Sequence, residues 1–195
     1  MRADARENRE AIVTAACTLF AEHGPEVSLR SVATAADVGI ATLYRHFPTR
    51  DDLIIGISER IATRALEVIH KYIDSWDGTW ETWRGFVHDL AGLRLASIAM
   101  QTVAAVELDG PVWQATENFR TRLLDGYREL LPLAVESGFI SPALDPWQFH
   151  FGVAFASRPL PENVTGFTSR LSPGFPEWYL DTFICGLAES AGKHG

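Results

Sequence analysis

The sequence is short of several things that would each define a class of protein. Its 195 residues include only two cysteines, Cys17 and Cys185, far apart and in no framework spacing. Free thiols of this kind fit a reducing compartment, so the expected location is cytoplasmic. No run of about 18 apolar residues is present, so no membrane span is expected. The opening MRADARENRE has no apolar stretch of the kind that starts a secretory signal. G-x-S-x-G, a P-loop, H-E-x-x-H and the Rossmann glycine pattern are all missing, and no carboxylate pair stands apart from ordinary helix surface. An enzyme is therefore not expected, and no cofactor is implied. His88 and His150 have no His or Cys partner one helical turn away, so they read as surface or satisfied core histidines rather than metal ligands.

Positive charge is scarce as well. Against 25 acidic residues the chain has 17 Lys and Arg, a formal net charge of −8. The deficit is not spread evenly. Residues 1–50 are neutral, with Arg2, Arg6, Arg9, Arg30, Arg45 and Arg50 balancing six acids, so the whole of the −8 lies beyond them. Every base in the first fifty residues is an arginine, the side chain best matched to phosphate and guanine. A diffuse acidic body repels DNA except where a local patch faces it, so this distribution permits DNA binding without requiring it.

What is present is helix after helix, with no convincing alternating strand and no internal repeat. A first helix is expected over about 6–23, with Ile12, Ala15, Ala16, Leu19 and Phe20 as its apolar stripe and Gly24-Pro25 as its stop. Ser28 is a natural N-cap for a short second helix burying Leu29, Val32 and Ala33. Asp37-Val38-Gly39 turns the chain into a third, about 40–46. Thr49-Arg50-Asp51-Asp52 has a capping-box pattern with Asp in place of Glu, opening a long fourth helix to about 74 whose buried face is Leu53, Ile57, Ile61, Ala65 and Val68. Further helices are expected at about 79–95, 97–106, 111–136, 145–157 and 176–190. The Pro-, Gly-, Ser- and Thr-rich interval 158–176 reads as a loop.

The informative stretch is 28–53, SLRSVATAADVGIATLYRHFPTRDDL. Two short helices cannot bury their apolar faces alone and need the first helix as a third wall, to which Leu29, Val32, Ala33, Ala36, Val38, Leu43 and Phe47 contribute. Arg30, Ile40, Ala41, Thr42, Tyr44, Arg45 and His46 are left facing outward, side chains suited to a groove and its phosphates. A solvated helical hairpin within a bundle is the plainer alternative.

At this point the segment resembles the TetR family of bacterial repressors, whose hallmark is a capped second helix, an Ala-x-Val turn and Thr-Leu-Tyr-x-His-Phe. Here these stand as Ser28, Ala36-Asp37-Val38 and Thr42-Leu43-Tyr44-Arg45-His46-Phe47, with Arg50 and Leu53 matching the start of the fourth helix. The resemblance covers about the first quarter of the chain. It implies that Thr42 and Tyr44 contact DNA from a recognition helix, that His46 and Arg50 meet phosphate, and that Ser28 both caps its helix and touches the backbone. The residues themselves add Arg30, Arg45 and Ile40. Ile40 is either a partner for a thymine methyl or an ordinary exposed apolar residue. Arg2, Arg6 and Arg9 form either a minor-groove arm or a solvated tail. One departure is Gly39, where the family usually has Ser or Thr: glycine caps a helix but offers no side-chain oxygen.

Beyond residue 76 the chain is rich in aromatics, which supply both core and the walls of a ligand pocket. The resemblance places the family's pocket among helices four to eight, so the candidate ligand contacts are Trp80, Trp83, Phe86, Met100, Trp113, Glu117, Arg120 and Phe151. The last two helices carry more apolar side chains than one face can hide. Trp147, Trp178, Tyr179, Phe183, Gly186 and Leu187 are the candidate interface of a two-fold homodimer.

The expectation is thus an all-α protein: an N-terminal three-helix helix-turn-helix domain (1–48), then an antiparallel helical bundle for ligand binding and dimerisation (49–195), linked by helix four at about 49–74. Its expected function is a cytoplasmic, nucleoid-associated bacterial repressor that binds a palindromic double-stranded operator and is released by a small, largely apolar effector. The alternative is a helix-turn-helix regulator without a small-molecule ligand, controlled by a partner protein.

Overall fold

A computed structural model describes residues 2–23, 26–93, 107, 109–158 and 162–192. The expected helix at 97–106, with Met100, lies outside the described residues. Within them every regular element is a helix: α1 (Arg2–His23), α2 (Leu29–Ala35), α3 (Ile40–His46), α4 (Arg50–Asp74), α5 (Trp80–Gly92), α6 (Pro111–Ala115), α7 (Glu117–Glu136), α8 (Pro146–Ala156), α9 (Glu162–Leu171) and α10 (Phe175–Gly192). None of these is long and apolar enough to cross a membrane. Contacts group the chain into two units, Met1–Thr63 with Ser97–Arg120, and Arg64–Ala96 with Thr121–Gly195. The α4 and α7 runs of sequence therefore contribute residues to both.

The first unit is built by local chemistry at its helix starts. Ser28 Oγ accepts from the Ser31 amide at 3.0 Å and starts α2. Asp52 Oδ2 accepts from the Thr49 amide at 2.9 Å while the Asp52 amide donates to Thr49 Oγ1 at 3.1 Å, so Asp completes the reciprocal cap that Glu usually makes. Ile12, Val13, Ala16 and Phe20 of α1 meet Val32, Ala33, Leu43 and Phe47 and the Leu53, Ile54 and Ile57 face of α4, all buried. At Gly56 the surface of α4 makes room for Phe47: a Cβ there would lie 2.8 Å from the ring, with Val13 at 3.6 Å.

Two expectations are corrected by the structure. The single helix expected over 111–136 breaks at Thr116, which is buried and donates its hydroxyl to the carbonyls of Val112 (3.0 Å) and Trp113 (3.1 Å). That side chain competes with the helical hydrogen-bond pattern at the end of α6. The interval 158–176 is not a plain loop, because α9 occupies 162–171; its prolines all lie before or after that run, and only Gly166 interrupts it.

The second unit has an aromatic core in which Trp83, Phe86, Tyr127 and Phe149 are fully buried. Gly138, at φ +76°, ends α7 by letting the Phe139 amide reach the Ala134 carbonyl at 2.9 Å. This sets Phe139 against Trp80, at 5.6 Å between centroids, and stacks it on Trp83 at 6.5 Å. Arg84 grips Asp181 through Nε and Nη2 at 2.7 and 2.8 Å, and His88 Nε2 lies 2.7 Å from the same carboxylate, joining α5 to α10.

Replacing a helical glycine by alanine ordinarily stabilises a helix by about 1 kcal/mol. At Gly56 the added methyl meets a ring that is 2% exposed and cannot swing away. Gly56→Ala is expected to destabilise the protein by about 1–3 kcal/mol in urea unfolding, the scale of overpacking in a filled core; a gain in stability would show that Phe47 is not held.

Candidate nucleic-acid interface

α2 and α3 are seven residues each, too short to persist alone, and Leu43, Val32 and Ala33 bury one side of the pair. The turn between them passes through Asp37 at φ +52°, a left-handed position that Asp tolerates better than most residues, and the Val38 amide closes it on the Ala33 carbonyl at 3.0 Å. Gly39 is the N-cap of α3 with no side-chain cap bond; the Thr42 amide reaches the Gly39 carbonyl at 2.8 Å, and the Ile40 and Ala41 amides ahead of it have no side-chain cap.

With Leu43 pinned inward, helical geometry turns Ala41, Tyr44 and Arg45 outward, and all three are exposed, Tyr44 at 49%. Ser28 and Arg30 are exposed on α2 and its cap; Ile40, Thr42 and His46 are half-buried. The structure thus brings seven of the expected contacts onto the α2–α3 element. Arg50 is placed differently from a free phosphate-seeking side chain. It is half-buried, its Nη1 donates to the Val27 carbonyl at 3.0 Å, and its guanidinium lies 5.4 Å from the Phe20 ring centre. Its Nη2 is buried and has no hydrogen-bond partner among the described residues. Arg9 is similarly occupied, paired with Glu59 at 2.8 Å and lying over Phe47 at 5.4 Å, while Arg60 pairs with Glu10. Arg2 begins a continuous helix, and Arg6 is exposed on it. The composition of the N-terminus gave no sign that Arg9 would be used to fasten α1 to α4.

The candidate ligand contacts fall into separate groups. Trp83 and Phe86 are fully buried, 5.7 Å apart, in the aromatic core, with Trp80 half-buried at its edge. Among the described residues Trp83 Nε1, which is buried, has no hydrogen-bond partner. Trp113 and Arg120 meet at the α6–α7 break, Glu117 is exposed nearby in sequence, and Phe151 is 51% exposed on α8. Of the candidate interface, Trp178, Tyr179 and Gly186 are exposed, whereas Trp147, Phe183 and Leu187 pack partly against the core. Phe183 does so because Gly152 has no side chain: a Cβ there would lie 2.7 Å from the ring.

Among the described residues no group of three or more His, Cys, Asp or Glu is placed to hold a metal ion. His88 is engaged by Asp181, and His150 Nδ1 lies 2.7 Å from the Tyr127 hydroxyl. Burial pushes the Tyr127 pKa up, keeping its proton, and pushes His150 down to about 4. The neutral ring therefore accepts from the phenol.

The comparisons with known proteins agree with this geometry. Residues 12–57 match the family model described as bacterial regulatory proteins, tetR family. HTH-type transcriptional regulators from several Staphylococcus aureus strains are 43% identical over 61 residues, 31% of this chain and 33% of each relative. The match thus spans about a third of the length of these curated relatives. Among solved structures, the TetR transcription regulatory protein from Mycobacterium vanbaalenii aligns at 25% identity over 87% of this chain and 95% of that one, with a TM-score of 0.62. The TetR-like regulator LfrR from Mycobacterium smegmatis, solved with proflavine, aligns over 95% and 96% at 19% identity and a TM-score of 0.65. Residues 12–57 are thus similar to the tetR family of bacterial regulatory proteins, and the fold as a whole is similar to that of solved TetR regulators.

The half-buried His150 supplies a pH dependence. Its folded pKa, about 4, lies below the ordinary value near 6.5, so the unfolded chain takes up a proton first as pH falls. Its contribution is neutral above about pH 6.5 and increasingly destabilising towards pH 4. Between about pH 7 and 4.5 the wild type should lose about 2–3 kcal/mol more stability in urea titrations than His150→Gln. Equal losses in the two proteins would show that His150 does not carry it.

Proposed function

We propose that the protein is a homodimeric transcriptional repressor that reads a palindromic operator with α3 and is released by a small effector bound by residues 49–195. The observation that carries the DNA-reading part is the outward edge of α3, where Tyr44 and Arg45 project beside Ala41 while Leu43 and Phe47 hold the helix from behind. The residues assigned to DNA are Ser28, Arg30, Ile40, Thr42, Tyr44, Arg45 and His46, with Arg50 bracing the start of α4 and supplying positive charge beside them. Alanine at position 41 keeps that edge low enough for the backbone to approach a groove. The Ile40 and Ala41 amides, which no side chain caps, are assigned to a backbone phosphate.

One recognition helix cannot provide specificity alone, and two at a separation of about 34–36 Å read successive major grooves. Exposed Trp178 and Tyr179 on α10 and Phe151 and Phe155 on α8 support pairing of two copies through these helices. The effector reading is supported by the buried, unpartnered Trp83 Nε1, a polar group that a ligand acceptor would satisfy. Coupling would run through α4, a single helix from Arg50 to Asp74. It must be reciprocal, and its usual scale is about 5–150-fold in affinity. The protein would act in the cytoplasm, on the nucleoid.

Selection of duplexes from a randomised pool, followed by anisotropy titration, tests this reading. The enriched sequences should be inverted repeats. On such a duplex Arg45→Ala should weaken binding and reduce the slope of log K against log salt by about one per protomer. Enrichment of sequences without dyad symmetry, or an unchanged slope, would contradict it.

A further inference from the structure

We propose that Arg120 is an oxyanion-binding residue, holding the carboxylate of a small apolar monocarboxylic acid on the free edge of its guanidinium. At the break between α6 and α7, Arg120 Nη1 donates to the Trp113 carbonyl at 2.7 Å and to Thr116 Oγ1 at 2.6 Å. The guanidinium carbon lies 3.7 Å from the centre of the Trp113 ring. These contacts fix the plane of the group and use the hydrogens of one nitrogen. A guanidinium has five N–H donors, and the Nε–Nη2 edge makes no hydrogen bond to the described residues. Glu117 acts on Arg120 through its field but does not pair with it, and partial burial lowers the Arg120 pKa by stripping water from the cation.

The use of that same edge is displayed elsewhere in this chain. Arg84 donates from Nε and Nη2 to the two oxygens of Asp181, at 2.7 and 2.8 Å. Arg120 carries the same fork, already oriented by its bonds to the Trp113 carbonyl and Thr116 Oγ1. A planar carboxylate matches a fork bidentately, and an oriented guanidinium loses little further freedom on binding it. The Glu117 carboxylate nearby favours a monoanion over a doubly charged phosphate, and the Trp113 indole beneath the cation supplies apolar surface for the rest of the molecule. As the identity of the effector's charged end, this rests on the effector reading above; as a binding site it stands without it.

Calorimetry on the intact protein with benzoate, benzamide and inorganic phosphate tests the assignment. Benzoate should bind at least about tenfold more tightly than benzamide, the scale of a charge-assisted pair. That preference should vanish in Arg120→Gln and largely vanish in Arg120→Lys, which keeps the charge without the fork. In the wild type the Arg120 Nε–H resonance should shift with benzoate and not with benzamide, a readout that needs no variant to fold. Equal affinity for acid and amide, a preference that survives Arg120→Gln, or tighter binding of phosphate than of benzoate would overturn the proposal. If benzoate binds through Arg120 while operator affinity stays unchanged, the site stands and its role as effector site falls. If a neutral compound releases the operator and benzoate does not bind, the effector reading stands and the oxyanion site falls.

Discussion

Two seven-residue helices in water do not hold a shape, so everything in the first unit depends on the burial of Leu43 and Phe47 behind α3. Burying side chains of this size contributes about 1.5–3 kcal/mol each, which is the scale needed to fix so short an element. Phe47 does more than fill space. Its ring rests where Gly56 opens the α4 surface and lies beneath the Arg9 guanidinium, so one residue ties α1, α3 and α4 together. Once Leu43 and Phe47 face inward, the 3.6-residue period leaves Tyr44 and Arg45 no direction but outward. The outward edge follows from the packing.

The same constraint explains which arginines are free. Arg9 and Arg50 sit where they can close the small core, the first on Glu59 and Phe47 and the second on the Val27 carbonyl and Phe20. Arg30 and Arg45 sit on the far side and are exposed. A chain with net charge −8 can therefore present positive charge to a duplex from one small element.

What could be read from sequence was what local chemistry decides. The Ser28 cap, the Thr49–Asp52 reciprocal cap, the Gly39 cap without a side-chain bond and the inward face of α4 at Leu53, Ile57, Ile61 and Ala65 all follow from a few neighbouring residues, and the structure has each of them, with Val68 of that face only half-buried. The break at Thr116 was not legible, because a threonine within an apparently continuous helical pattern gives no sign that its hydroxyl will turn back on two carbonyls. Nor was α9, since a composition rich in Pro and Gly hides that the prolines flank the helix. The pairing of Arg9 with Glu59 spans fifty positions and depends on tertiary packing alone.

The aromatic richness beyond residue 76 has two uses, one visible in the packing of Trp83, Phe86, Phe139 and Phe149 and the other in the exposed rings of α8 and α10. The assignment of the outward edge of α3 to DNA can be checked by adding a selected operator duplex to isotopically labelled protein and following backbone amide shifts. The large changes should fall on residues 28–30 and 39–46, with the Gly39–Ala41 amides among the strongest. Large changes confined to another face, with those amides unmoved, would contradict it.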